Sequence, residues 1–113
     1  MTEIIILDFE TSGLNPYHDD IIEIGAKVLD SDKKYSCLIQ PKSNEIISET
    51  ITSLTGISNK MLKKEGLKWQ KAYQSFNEWL IAVKDKRQYC KSPFQSSKIV
   101  IVSHNGESFD FLF

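Results

Sequence analysis

The sequence predicts an α/β domain. Its sheet is mixed: three strands in an antiparallel meander, a fourth strand parallel to the first, and flanking helices. Three observations predict this. The run Ile4-Ile5-Ile6-Leu7 is short, β-branched and free of polar alternation, as a strand buried in the middle of a sheet is. Two more strand-like segments follow before residue 41, with turn-forming residues between them. A long amphipathic helical segment then leads to a second apolar run, Ile99-Val100-Ile101-Val102. A strand reached through such a crossover lies parallel to its neighbour.

Taken in order, the first strand ends at Gly13, and Asn15-Pro16-Tyr17-His18-Asp19-Asp20 reads as a loop dense in turn formers. Residues 21–28 read as the second strand and residues 35–40 as the third, with Asp30-Ser31-Asp32-Lys33 as the turn between them and Pro41 as the stop. Residues 44–52 are polar and β-branched and take no assignment. Residues 54–58 read as a turn with Gly56 at its tip. Ser58 is placed to cap a short helix over residues 59–64, and Gly66 to end it. From Trp69 to about Lys84, the residues Ala72, Tyr73, Phe76, Trp79, Leu80 and Val83 recur at helical spacing, which predicts an amphipathic helix with an aromatic stripe turned into the core. Residues 86–98, with Pro93 and paired serines, read as a loop. There are no internal repeats and no domain linker, so residues 1–113 read as a single domain.

Composition excludes several classes. The N-terminal apolar run is too short for a signal peptide or a membrane helix, so no membrane is expected and the location is intracellular, cytoplasmic or nuclear. Cys37 and Cys90 stand at no metal-ligand spacing and read as reduced structural thiols. The formal net charge of -1 hides an asymmetry: residues 58–98 carry ten Lys and Arg against three Asp and Glu, a local charge of +7. A basic middle beside an acidic site suits a polyanion, and it also suits an ordinary lysine-bearing helix face.

The acidic site is the pair Asp8 and Glu10. Residues i and i+2 of a strand share a face, so the two carboxylates project side by side. Like charges this close repel unless a proton or a cation lies between them, and a hard divalent ion with oxygen ligands is the usual solution. The second apolar strand delivers another polar cluster, His104-Asn105-Gly106-Glu107-Ser108-Phe109-Asp110. If the two strands are parallel neighbours, Asp8, Glu10 and Asp110 converge at their C-terminal ends, where open α/β sheets bind ligands. Asp110 falls in the first turn of a helix starting near Ser108, where a negative charge also favours the helix itself. His104 reads as a hydrogen-bonded turn residue and stays outside the metal set.

Asp8-Phe9-Glu10-Thr11, the Leu54-Thr55-Gly56-Ile57 turn and His104-Asn105-x-x-Phe109-Asp110 together resemble the first part of a DnaQ-like 3′→5′ exonuclease of the DEDD superfamily. The resemblance runs from Ile4 to Phe113 and implies a ribonuclease H-like fold. It implies phosphodiester hydrolysis at the 3′ end of single-stranded DNA or RNA, with two Mg²⁺ or Mn²⁺ ions. Asp8 would bind both ions, Glu10 one ion and the attacking water, and Asp110 the second ion. Thr11, Gly13, Leu14, Asn105 and Phe109 match positions that line the terminal nucleotide. Glu23, in an Ile-Glu-Ile-Gly run, reads as supporting rather than catalytic. A polymerase or another replication protein is the implied partner. The family's third motif, a His or Tyr base followed by a fourth carboxylate, would lie several tens of residues beyond Asp110. The expectation is therefore an incomplete exonuclease domain, truncated at its C-terminus. A catalytically inactive nucleic-acid-binding or protein-interaction module of the same fold is the alternative. A generic Mg²⁺-binding α/β domain would explain Asp8 and Glu10 but not the second cluster.

Overall fold

The strand β1 (Thr2–Thr11) holds the sheet together, because it is hydrogen-bonded along both edges. In this computed structural model, residues 2–15, 17–42, 45–85 and 98–103 are described. They form, in order, β1, β2 (Ile21–Val28), β3 (Lys34–Leu38), α1 (Glu49–Thr55), α2 (Asn59–Glu65), α3 (Trp69–Asp85) and β4 (Lys98–Ser103). The sheet order is β3-β2-β1-β4. β1 pairs antiparallel with β2, β2 antiparallel with β3, and β1 parallel with β4 from Thr2↔Lys98 to Leu7↔Ser103. The meander and the parallel fourth strand are those the sequence predicts. The loop over residues 86–97 with Cys90, and the helix expected near Ser108, lie outside the described residues.

Side chains alternate along β1 and so sort its residues by chemistry. Ile5 and Leu7 are buried, and Phe9 packs at the edge of their cluster. Ile6 and Asp8, on the other face, are exposed. The buried face meets α3, whose Ala72 and Val83 join Ile5, Leu7, Ile24, Ala26, Val28 and Ile39 in one core. Burying an aliphatic side chain such as Ile5 contributes about 1.5–3 kcal/mol. Tyr35 of β3 ties the far strand to the helix: its ring lies 5.4 Å from Phe76 and 5.7 Å from Trp79, and its hydroxyl donates to Ser75 Oγ at 3.0 Å. A second, smaller core of Ile22, Ile47, Ile57 and Leu62 fixes α1 and α2 beside the start of β2.

Three expectations need correction. The stripe assigned to the core is core at Ala72, Phe76, Trp79, Leu80 and Val83, but Tyr73 is 67% exposed. At 100° per residue Tyr73 falls roughly 75° from the centre of that stripe. The segment before Gly56 is a helix, not only a turn. Ser48 is the N-cap of α1, its Oγ accepting from Ile51 N at 3.3 Å. Gly56, at φ 77°, closes the helix in the left-handed conformation that glycine adopts without strain. α1 has no buried residue, so it carries no apolar period for a sequence reading to find. α2 has its predicted cap, with Ser58 Oγ accepting from Met61 N at 3.1 Å, and Gly66 ends it. β3 is shorter than expected because Gln40 N donates to Leu67 O at 2.8 Å, away from the sheet.

The alternation of β1 predicts an asymmetric response to truncation. Ile5→Ala should cost about 2–5 kcal/mol of unfolding free energy. Ile6→Ala, one residue on and 42% exposed, should cost less than about 1 kcal/mol. Urea titrations of both variants check this; equal losses would mean the second face is also packed.

Candidate active site

The site stands on the C-terminal half of β1, on the face away from α3. Asp8 lies directly opposite Gly25 of β2, and Glu10 directly opposite Glu23. The i, i+2 spacing sets the two β1 residues about 6.5–7 Å apart along the strand. Gly25 brings no side chain, so the space across from the Asp8 carboxylate is open. A Cβ there would touch only the Asp8 carbonyl oxygen, at 3.7 Å.

Glu23 is the residue whose importance the sequence understated. Directly opposed side chains on antiparallel strands stand about 4.5–5.5 Å apart at Cβ, and like charges there repel. Burial pushes the Glu23 carboxyl above its ordinary range. A hydrogen bond with the Ser36 side chain on β3 works against that rise, and the negative charge of Asp8 adds to it. The face therefore gathers Asp8, Glu10 and Glu23. The signal that could have found Glu23 is register: aligning Asp8 with Gly25 puts Glu10 and Glu23 in one pair.

The turn after Glu10 is rigid. The β1–β2 register shifts between Glu10 and Thr11, which re-aims the chain as the strand ends. Thr11 is buried, and its hydroxyl donates to the Gly13 carbonyl at 2.7 Å. Ser12 N donates to Asp20 O, and Asp20 N donates back to Ser12 Oγ, both at 2.8 Å. The Asp19 carboxylate accepts from Asn15 N at 3.0 Å and crosses so close to Gly13 that a Cβ at that position would overlap it. Leu14 is 83% exposed beyond this turn. His18 Nε2 lies 3.7 Å from Glu45 Oε2, an exposed pair of little energetic weight.

Among the expected site residues, the structure thus brings Asp8 and Glu10 onto one face and sets Thr11, Gly13 and Leu14 in the turn that follows them. Asn105, Phe109, Asp110 and His104 lie outside the described residues. Among the described residues no three His, Cys, Asp or Glu side chains are grouped closely enough to hold a metal ion. The donor set is nevertheless of the right kind: the exposed carboxylate of Asp8 and the half-buried one of Glu10 on one strand face, opposite a position with no side chain. No described helix is long and apolar enough to cross a membrane.

A mixed sheet of this order is that of the ribonuclease H-like fold. The chain matches the exonuclease (RNase T) family over residues 5–94 and belongs to that family. It is 32% identical over 111 residues to the PolC-type DNA polymerase III of Ureaplasma parvum serovar 3, covering 96% of this chain and 6% of that protein. It is 31% identical over 110 residues to the 3′-5′ DNA exonuclease Cap18 of Escherichia coli, covering 96% of this chain and 53% of that one. The chain thus spans about half of Cap18 and a small part of PolC. Among solved structures, the zinc-bound E. coli exonuclease I–single-stranded DNA complex superposes with a TM-score of 0.69 at 19% identity. That alignment covers 99% of this chain and 22% of exonuclease I.

The raised Glu23 carboxyl gives a pH-dependent prediction. Such a group binds its proton more tightly in the folded chain than in the unfolded one. Its cost to folding is absent below the ordinary glutamate value of 4.5 and grows as pH rises through the raised folded value. Glu23→Gln should therefore stabilise the chain at pH 7 by roughly 0.5 kcal/mol, discounted for partial exposure, and leave it unchanged near pH 3.5. Urea midpoints at the two pH values check this. A gain of the same size at both would assign it to packing rather than charge.

Proposed function

We propose that this chain carries the metal-binding half of a 3′→5′ exonuclease site that acts on single-stranded DNA. The observation that carries the reading is the placement of exposed Asp8 and half-buried Glu10 on one strand face, with Gly25 opposite Asp8, in a chain of the exonuclease family. The relatives support the finer points. Cap18 is a 3′-5′ DNA exonuclease, exonuclease I is known in complex with single-stranded DNA and with zinc, and PolC carries the matching segment within a polymerase. The last of these supports a role beside DNA synthesis inside the cell, with a polymerase as partner.

Asp8 and Glu10 would hold the divalent ions, Mg²⁺ or Mn²⁺, with Asp110 completing the set. When bound, the ions neutralise the scissile phosphate, make water a stronger nucleophile at neutral pH and stabilise the leaving 3′ oxygen. The chain's own residues do the rest. Asp8, exposed and two residues before Glu10 on β1, would hold both ions. Glu10 orients the attacking water by accepting a hydrogen bond from it. The Thr11–Gly13 turn, fixed by the threonine hydroxyl, presents backbone to the terminal nucleotide, and Leu14 offers it an apolar surface. By the resemblance in sequence, Asn105 and Phe109 would contribute to the same nucleotide contact.

The test is digestion of 5′-labelled single-stranded DNA by this chain in Mg²⁺, Mn²⁺ or EDTA. Shortening from the 3′ end is expected with metal and not with EDTA. Asp8→Asn should lower the rate by on the order of 10²–10³-fold, the scale of losing one charge-stabilising group. Its unfolding midpoint should hold or rise, because a mutually repelling carboxylate is removed. A folded Asp8→Asn that still cuts at the wild-type rate would refute the assignment. Metal-independent binding with no cutting by the wild type would favour the inactive binding module.

A further inference from the structure

We infer that the surface where α3 begins, beside the end of β3, is a second contact for single-stranded nucleic acid: a base-stacking site of Trp69 and Tyr73 flanked by Lys42 and Lys68. This rests on the nucleic-acid reading of the chain, though not on its hydrolytic step.

Two adjoining hollows carry the inference. One, of about 280 Å³, is lined by Lys42, Lys68, Trp69, Gln40 and Gln70, with Pro41. It holds two cations and no acid, and the glutamine amides can both donate and accept. The other, of about 490 Å³, shares Trp69, Lys42 and Gln40, and adds Tyr73 and the loop residues Tyr17, Asp19 and Asp20. Trp69 and Tyr73 are one helical turn apart, so their rings rise from the same face of α3. They are 47% and 67% exposed, unlike Phe76 and Trp79 further along the helix, which pack on the sheet. The Lys42 ammonium lies over one face of the Trp69 ring, 5.0 Å from its centroid, so a positive charge caps that face and a base would stack on the opposite one.

That pairing is the chemistry of a nucleotide. A base stacks on the rings whatever its identity, and its phosphate meets the ammonium groups. The acids of the larger hollow sharpen this, because they set a direction. Asp19 and Asp20 are committed to backbone donors, Asp19 to Asn15 N at 3.0 Å and Asp20 to Lys42 N at 3.1 Å. Their charge repels phosphate toward the Lys42–Lys68 side and leaves the aromatic side to the base. Asp19 and Asp20 also belong to the loop that leaves β1 after Glu10, so this surface adjoins the turn beside the carboxylates. Stacking without base-edge readout suits an enzyme that must accept any sequence.

The test is equilibrium binding, by fluorescence anisotropy in EDTA, of a labelled oligothymidylate and of an abasic strand of the same length and charge. Trp69→Ala should weaken oligothymidylate binding about tenfold and leave abasic binding unchanged. Trp69→Phe should restore most of the loss, which a merely misfolded variant would not do. Lys42→Gln should weaken both strands and reduce the salt dependence of log Kd by roughly one phosphate contact. The inference is overturned if folded Trp69→Ala binds oligothymidylate like the wild type, if it loses both strands equally, or if the folded wild type binds neither. Cleavage with Mg²⁺, scored on the same proteins, keeps the two readings apart. Trp69-dependent binding without cutting upholds the stacking site and refutes hydrolysis by this chain alone. Cutting without Trp69-dependent binding does the reverse.

Discussion

The alternation of side chains along a strand paired on both edges is the constraint on which this molecule depends. β1 cannot rotate without breaking the ladders to β2 and β4, so its odd residues stay against α3 and its even residues stay on the free face. One physical fact therefore supplies both a core and a site. Ile5 and Leu7 fasten the strand from below, and Asp8 and Glu10 are held on the other side with little freedom to swing apart. Catalytic groups on rigid strands keep their geometry better than groups on loops.

The cost of this arrangement is electrostatic. The pairing that fixes Glu10 also sets Glu23 directly across from it, with Asp8 on the same face. Nothing in a folding domain gains from three acids on one side of a sheet; burial is the main reason the Glu23 carboxyl is raised, and the charge of Asp8 adds to it. The hydrogen bond between Ser36 and Glu23, and the empty position at Gly25, are the local accommodations. A cation removes the conflict, so the site is expected to be more stable with metal than without it.

Much of this was legible in the sequence, for identifiable reasons. The central strand could be read because four consecutive apolar, β-branched residues leave few alternatives, and Asp8 and Glu10 followed from strand periodicity. α2 was legible from its caps. α1 was not, because Ser48 and Gly56 delimit it while no buried face marks it. Tyr73 was misassigned because helical spacing alone does not say where the sheet's edge passes beneath the helix. The pairing of Glu10 with Glu23 was hidden for a different reason: register depends on a bulge at Glu10 and Thr11 that no local pattern announces. The grouping of Trp69 with Lys42 is farther still from sequence, since it arises where Leu67 draws the end of β3 toward the start of α3.

Among the described residues, the parallel ladder between β1 and β4 reaches Leu7↔Ser103, one residue before Asp8. Ser103 therefore stands beside the depth at which the carboxylates begin. This divides the crossover into two parts under very different constraint. The connection between α3 and β4 can lengthen or shorten at small entropic cost. β4 itself cannot, because one residue added or removed within it would slide everything downstream by about 3.3 Å and turn each side chain to the opposite face. Changes of length in this family should thus accumulate before β4 and be absent within it. A strand with no chemistry of its own thus acts as a ruler laid against β1.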